Sequence, residues 1–196
     1  MVVDHDKKFI FVCIAKCAST SIRKRFGYPR PGEQDPPPEI YHMFLKDIIK
    51  NTPNSSNYFK FCFVRNPYDR LYSTYMDLKY SLGHVWAADV KNKINFKDFV
   101  MSLPQSPSLQ YIHLRPQVEY IKVNKQISVD YIGRFSNLIE DFREVEQILG
   151  MSHVNLEKIR SSLKLPFDPK TYDGDMIKIV NEIYEEDFYS FGFNKK

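Results

Sequence analysis

Glycine is scarce in this chain, 7 of 196 residues, and none lies between Ile14 and Ser21, where an apolar stretch gives way to small and hydroxyl-bearing residues. That excludes the phosphate loop that needs two glycines ahead of a Lys-Ser/Thr pair. Cysteine is thin as well. Cys13, Cys17 and Cys62 are odd in number and lack metal-ligand spacing, which favours a reducing compartment over a disulfide framework. Cys13 and Cys62 sit inside apolar stretches, where a thiol behaves as a small hydrophobe. Cys17 lies ahead of a helix start and is a candidate reactive thiol. No apolar run is long enough to span a membrane: the one near the N-terminus is only Phe9 to Ala15, and the charged stretch Met1–Lys8 before it is no signal peptide. A cytoplasmic protein without a membrane span is the expectation. Neither sign of charge dominates, with 28 Lys+Arg against 24 Asp+Glu and a net charge of +4. This balance suits a small acidic ligand and excludes a nucleic-acid tail. No His/Cys/carboxylate cluster calls for a metal, and no internal repeat is visible.

What is present is ordinary globular composition, 43% hydrophobic, with an aromatic share of 15% that predicts a Phe- and Tyr-rich core. The length suits one domain over residues 1–196. Phe9–Ala15 and Tyr58–Val64 read as strands buried on both faces, and Val129–Ile132 as a third. Ile22–Phe26, the segment from Pro67 through Leu78, and Asn95–Leu103 read as helices. Ser136 is expected to cap another, which stops at Gly150, and Asp173 or Asp175 starts a last one. The prolines of Tyr28–Pro38 predict an extended surface loop, and Ser102–Ser108 a second loop. Strands alternating with helices imply an α/β fold with a mainly parallel sheet flanked by helices.

Two constellations carry chemistry. In Ala15-Lys16-Cys17-Ala18-Ser19-Thr20-Ser21, small side chains let the backbone approach an anion. The N–H groups of the following helix start supply partial positive charge, and Lys16 adds a full one. A plain strand-to-helix turn capped by Ser19 or Thr20 would look the same. Lys16, Arg23, Lys24 and Arg25 cluster near this loop; the Arg23–Arg25 run reads equally well as a solvated basic face. In the second constellation Arg65 closes the second strand, Asn66 reads as an N-cap, Pro67 as the first helical residue, and Ser73 follows about two turns on. A guanidinium there offers a planar fork of donors for phosphate, or a structural ion pair. Arg70 reads as a structural residue pairing locally, with Asp69 beside it.

Together these pieces resemble the PAPS-dependent sulfotransferases, specifically the membrane-type carbohydrate sulfotransferase group. Ala15–Ser21 fits that family's first loop, and Phe63-Val64-Arg65-Asn66-Pro67-Tyr68-Asp69-Arg70-Leu71-Tyr72-Ser73-Thr74-Tyr75 matches its second motif almost throughout. Tyr131–Phe135 and Ile183–Phe193 look like its later segments. Ala15 replaces the usual proline, Cys17 is unusual, and Ser136 stands where a glutamate is common. The run Ala18-Ser19-Thr20-Ser21 resembles the uronyl 2-O-sulfotransferase branch.

The resemblance implies a P-loop-like three-layer fold and in-line transfer of a sulfuryl group from PAPS to a hydroxyl, most naturally of a carbohydrate, leaving PAP. It implies that Lys16, Cys17, Ala18, Ser19, Thr20 and Ser21 hold the 5′-phosphosulfate, with Lys16 stabilising leaving-group charge, and that Arg65 and Ser73 hold the 3′-phosphate. His42, a short helix and loop ahead of the second motif's strand, is the implied base. His113, in a segment that resembles one near the acceptor, is the second candidate, and Arg115 and Gln117 are candidate substrate contacts. A P-loop-type nucleotide kinase or NTPase, or a non-catalytic PAP/PAPS-binding module, are the rival readings. Acceptor identity and oligomeric state are not legible.

Overall fold

Phe9, Ile10, Phe11 and Val12 offer no polar side chain, and such a strand is stable only where both faces are covered. In the computed structural model, which describes residues 1–28, 38–80, 95–156 and 168–196, all four are completely buried. The elements follow in chain order as β1 (Val2–Asp4), β2 (Phe9–Val12), α1 (Ser19–Arg25), α2 (Pro38–Tyr41), α3 (Leu45–Asn51), β3 (Phe59–Val64), α4 (Pro67–Tyr80), α5 (Phe96–Ser102), β4 (Lys122–Val123), β5 (Gln126–Ile127), β6 (Tyr131–Arg134), α6 (Leu138–Ile148), α7 (Gly174–Ile183) and α8 (Glu185–Phe191). The protein is a mixed α/β structure. Its four-stranded sheet has the order β1-β2-β3-β6; β2, β3 and β6 are parallel and only β1 is antiparallel. The chain groups into two compact units, Met1–Arg65 with Gln117–Arg160, and Asn66–Pro116 with Ser161–Lys196.

The first unit holds the sheet, and its core is aromatic. Phe11 stacks on Phe61 across the β2–β3 pair at 5.0 Å, and Phe26, just after α1, packs on Phe9 at 4.6 Å and on Phe142 of α6 at 5.9 Å. Each such pair contributes about 0.5–1.5 kcal/mol beyond the area it buries. The β3–β6 register is pinned at its start: Lys60 N–H donates to Asp130 Oδ2 and Asp130 N–H to the Lys60 carbonyl, both at 2.7 Å. Further along, Phe63 faces Gly133. A Cβ at Gly133 would overlap the Phe63 ring, with Cδ1 and Cζ at 2.7 Å. Since Phe63 is itself buried, Gly133→Ala is expected to destabilise by about 1–3 kcal/mol through overpacking. An unchanged denaturant midpoint for that variant would show that the ring can step aside.

The second unit is helical. Asn66 Oδ1 accepts from Tyr68 N–H at 3.1 Å at the start of α4, and Asn95 and Asp173 cap α5 and α7 through their side chains. Tyr68, Leu71, Tyr75 and Leu78 of α4 pack with Phe96, Phe99 and Val100 of α5 and Met176, Val180 and Tyr184 from the C-terminal segment. Most of α4 is buried, so its polar side chains need hydrogen-bond partners.

Several expected boundaries move. The first strand stops at Val12 because the chain turns, with Cys17 N–H donating to the Ile14 carbonyl. The third begins at Tyr131, since Ser128 and Asp130 are spent on bonds to Ile121 and Lys60. Ser136 does not cap α6. Asp141 holds that helix start instead, accepting from Arg134 N–H at 2.6 Å and Asn137 Nδ2 at 2.5 Å. Within Ser102–Ser108 two tight turns form, Leu103–Gln105 and the start of Pro107–Gln110. β1 and the β4–β5 hairpin were not anticipated; both are too short to show alternation. The expected loop over Tyr28–Pro38 falls mostly at 29–37, outside the described residues. Among the described residues no helix is long and apolar enough to cross a membrane.

Candidate functional site

Beyond β2 the backbone changes hand twice. Lys16 has φ 65° and Ala18 φ 61°, both in the left-handed region, with Cys17 between them. Alternation of this kind turns successive N–H groups toward one side. α1 then starts at Ser19. Its N-cap is Ala18, no side chain caps it, and no acidic residue lies in its first turn. The first N–H groups of a helix have no partner within the helix, so this loop presents a partial positive charge that no carboxylate of that turn offsets. Lys16, Ala18, Ser19, Thr20 and Ser21 are half-buried, while Cys17 is buried.

A left-handed alanine costs about 1–2 kcal/mol relative to a right-handed one. Glycine removes that strain but returns about 0.4–1 kcal/mol through the unfolded chain. Ala18→Gly is therefore expected to raise the melting temperature slightly and Ala18→Val to lower it. The reverse order in thermal melts would contradict the left-handed assignment.

Arg65 follows the last residue of β3. Its backbone is held by one side chain: Arg65 N–H donates to Gln117 Oε1, and Gln117 Nε2 donates to the Arg65 carbonyl, both at 2.8 Å. Its guanidinium donates from Nη1 to the Lys16 carbonyl at 3.4 Å and lies over the Phe135 ring at 4.2 Å. The ends of β2, β3 and β6 are thus linked at the carboxyl edge of the parallel sheet, where open α/β sheets bind ligands. Phe135 had no signal beyond being the aromatic after the third strand.

His42 follows α2. Its Nδ1 lies 2.7 Å from the Cys13 carbonyl. A carbonyl only accepts, so Nδ1 carries the proton and the lone pair of the neutral ring sits on Nε2. The bond fixes the imidazole to the residue that follows β2.

The basic run after the loop is not one solvated face. Arg23 is 5% exposed and stacks on the Tyr41 ring at 3.6 Å. Arg25 Nε pairs with buried Glu146 at 2.8 Å, and Glu146 also meets His153 Nδ1 at 2.7 Å. Only Lys24 of the three is exposed. The Cys17 thiol donates to Gln117 Oε1 at 3.3 Å. Burial pushes the Cys62 thiol well above the ordinary range.

Ser73, His113 and Arg115 belong to the second unit. Ser73 is buried on α4. The His113 carbonyl accepts from Thr74 Oγ1 at 3.2 Å, and Arg115 reaches Gln110 through Nε and Nη2 at 2.8 and 2.9 Å. Gln117, expected to touch substrate, is completely buried in the first unit. Among the described residues no group of three or more His, Cys, Asp or Glu is placed to hold a metal ion.

A model of the sulfotransferase family matches residues 1–194. A protein of Archaeoglobus fulgidus, described only as uncharacterized, is 31% identical over 94 residues, which is 48% of this chain and 69% of that protein. No solved structure matches.

Proposed function

The chain belongs to the sulfotransferase family, and so is an enzyme of sulfuryl transfer; we propose that its donor is PAPS, that its acceptor is a carbohydrate hydroxyl, and that His42 is the base. The observation that carries this reading is the joining of the uncapped Lys16–Ser21 loop to Arg65 at the carboxyl edge of the sheet. A P-loop-like arrangement agrees with a loop between a buried parallel strand and a helix start. The fit to a doubly anionic nucleotide rests on chemistry present in this unit. The loop offers backbone N–H groups, three hydroxyls and the Lys16 ammonium, with no carboxylate in the first turn. Arg65 offers a planar fork for a second phosphate.

PAPS supplies an activated sulfuryl group on a phosphate leaving group. The residues of the chain then divide the work. The loop orients the 5′ end so that the acceptor oxygen approaches sulfur in line with the breaking bond to phosphate oxygen. His42 Nε2 takes the hydroxyl proton as the new S–O bond forms, and the Cys13 carbonyl keeps that nitrogen the basic one. Lys16 balances the negative charge left on the phosphate oxygen, a contact worth about 2.7–4 kcal/mol of barrier by analogy with oxyanion donors.

The test is transfer from labelled PAPS to a panel of glycans and small alcohols, with PAP binding followed by calorimetry. Arg65→Ala is expected to weaken PAP by about 10–100-fold, the loss of a charge-assisted hydrogen-bonded contact. Wild-type protein that neither transfers label nor binds PAP overturns the reading; stronger stabilisation by ATP–Mg²⁺ than by PAP would favour a nucleotide kinase or NTPase.

A further inference from the structure

The β3–β6 ladder runs to the pair Val64↔Arg134 and stops there. One residue on, Arg65 exchanges both of its backbone hydrogen bonds with a single side chain 52 positions away, the Gln117 carboxamide. That amide stands in for a strand partner, offering one donor and one acceptor side by side as a paired residue does. The geometry selects its chemistry. Glutamate would set an oxygen against the Arg65 carbonyl, and leucine or methionine would leave both backbone groups without these bonds. Asparagine is a methylene shorter.

The same oxygen that holds Arg65 also accepts the Cys17 thiol at 3.3 Å, closer than the thiol's alternative acceptor, the Ala15 carbonyl at 3.6 Å. The network closes on itself, because Cys17 is bonded through the chain to Lys16, whose carbonyl accepts from Arg65 Nη1. Gln117 is completely buried, so its amide is shielded from competing water. The chain leaves the first unit after Arg65 and re-enters it at Gln117, so the clamp also joins the two ends of that excursion.

We propose that Gln117 is the positioning residue of the donor site, a buried amide that sets Arg65 and the Lys16–Ser21 loop at a fixed separation. The proposal rests on the donor reading of that loop and of Arg65. Gln117 acts through these groups, and no contact of its own with nucleotide or acceptor is required.

The experiment is a double-mutant cycle read by PAP calorimetry on the full chain, using Gln117→Met, Arg65→Ala and the pair. Gln117→Met is expected to weaken PAP about tenfold, the scale of losing hydrogen bonds around a charged donor, and to add little once Arg65 is alanine. The KM for PAPS should rise while that for the acceptor stays put. Two milder variants keep the test open if Gln117→Met folds poorly. Cys17→Ala should weaken PAP about threefold, the scale of one weak hydrogen bond, and Cys17→Ser, which restores a donor, should recover it. Independently of nucleotide, native-state alkylation of Cys17 should be at least about tenfold faster in Gln117→Met, as expected when a locally stabilised thiol is released. Wild-type affinity in Gln117→Met or Cys17→Ala, simple additivity in the cycle, or unaltered Cys17 labelling overturns the clamp. Wild-type protein that binds no PAP instead overturns the donor reading, and the role given to the clamp with it.

Discussion

Replacing His42 by alanine is expected to reduce sulfuryl transfer by about 10²–10⁴-fold, the usual contribution of a positioned general base, while PAP affinity stays within about twofold, since the imidazole has no part in the proposed phosphate contacts. The bond from Nδ1 to the Cys13 carbonyl makes the prediction specific. It selects the tautomer whose Nε2 can accept a proton, and it ties the ring to the strand that feeds the donor loop. His42→Asn separates the two roles. An asparagine amide can still donate toward Cys13 but has no basic nitrogen, so it should lose as much turnover as alanine. The sign of the pH dependence follows: protonating Nε2 removes the lone pair, so transfer falls toward acid. Wild-type turnover in His42→Ala would move the base to another group, and recovery by asparagine would reduce His42 to an anchor.

Arg70→Ala is expected to be the most destabilising single change in the second unit, by about 3–5 kcal/mol, the scale of a buried cavity together with carbonyls that lose their donors. At this chain length that is a fall in Tm of roughly 6–20 °C. Arg70 is 1% exposed on α4. Its Nη1 donates to the Arg115 carbonyl at 2.9 Å and its Nη2 to the His113 carbonyl at 3.3 Å. The guanidinium therefore holds the 113–115 segment to the helix through the backbone, with Thr74 Oγ1 adding a second donor to His113. Truncation strips donors from buried carbonyls and leaves a cavity, two penalties that add. Lysine should rescue little, because a compact ammonium cannot fork to carbonyls two residues apart. Denaturant unfolding of the three proteins decides it. A midpoint for Arg70→Ala equal to wild type would mean that water takes over both carbonyls.

Much of the frame was legible. Continuous apolar runs announced β2 and β3, because a strand covered on both faces has no room for polar side chains. Asn66-Pro67 announced one helix start and Asp173 or Asp175 another, of which the fold uses Asp173, because a cap acts on N–H groups two or three residues away. The loop and the second motif were equally local, and at the level of a sulfotransferase the resemblance they carry agrees with the family match over residues 1–194. Where sequence reasoning went astray, the competing interaction was distant. Val129 looked like strand, but Asp130 is committed to Lys60. Ser136 looked like a cap, but Asp141, a turn further on, reaches back to that helix start. The Arg23–Arg25 run looked uniform, but the partners of Arg23 and Arg25 lie on α2 and α6.

By itself, then, the sequence determined the buried parallel strands, the helix starts and the glycine-free loop with its lysine, since each depends on residues within a few positions of one another. Only the tertiary structure decided which side chain takes which backbone group: His42 the Cys13 carbonyl, Arg70 the carbonyls of His113 and Arg115, Gln117 both polar groups of Arg65. Backbone N–H and C=O groups are chemically alike at almost every position of a chain. Nothing in a local pattern marks one of them as the partner of a side chain 50 residues away, and the choice is made when folding brings the two segments together and excludes the water that would otherwise serve.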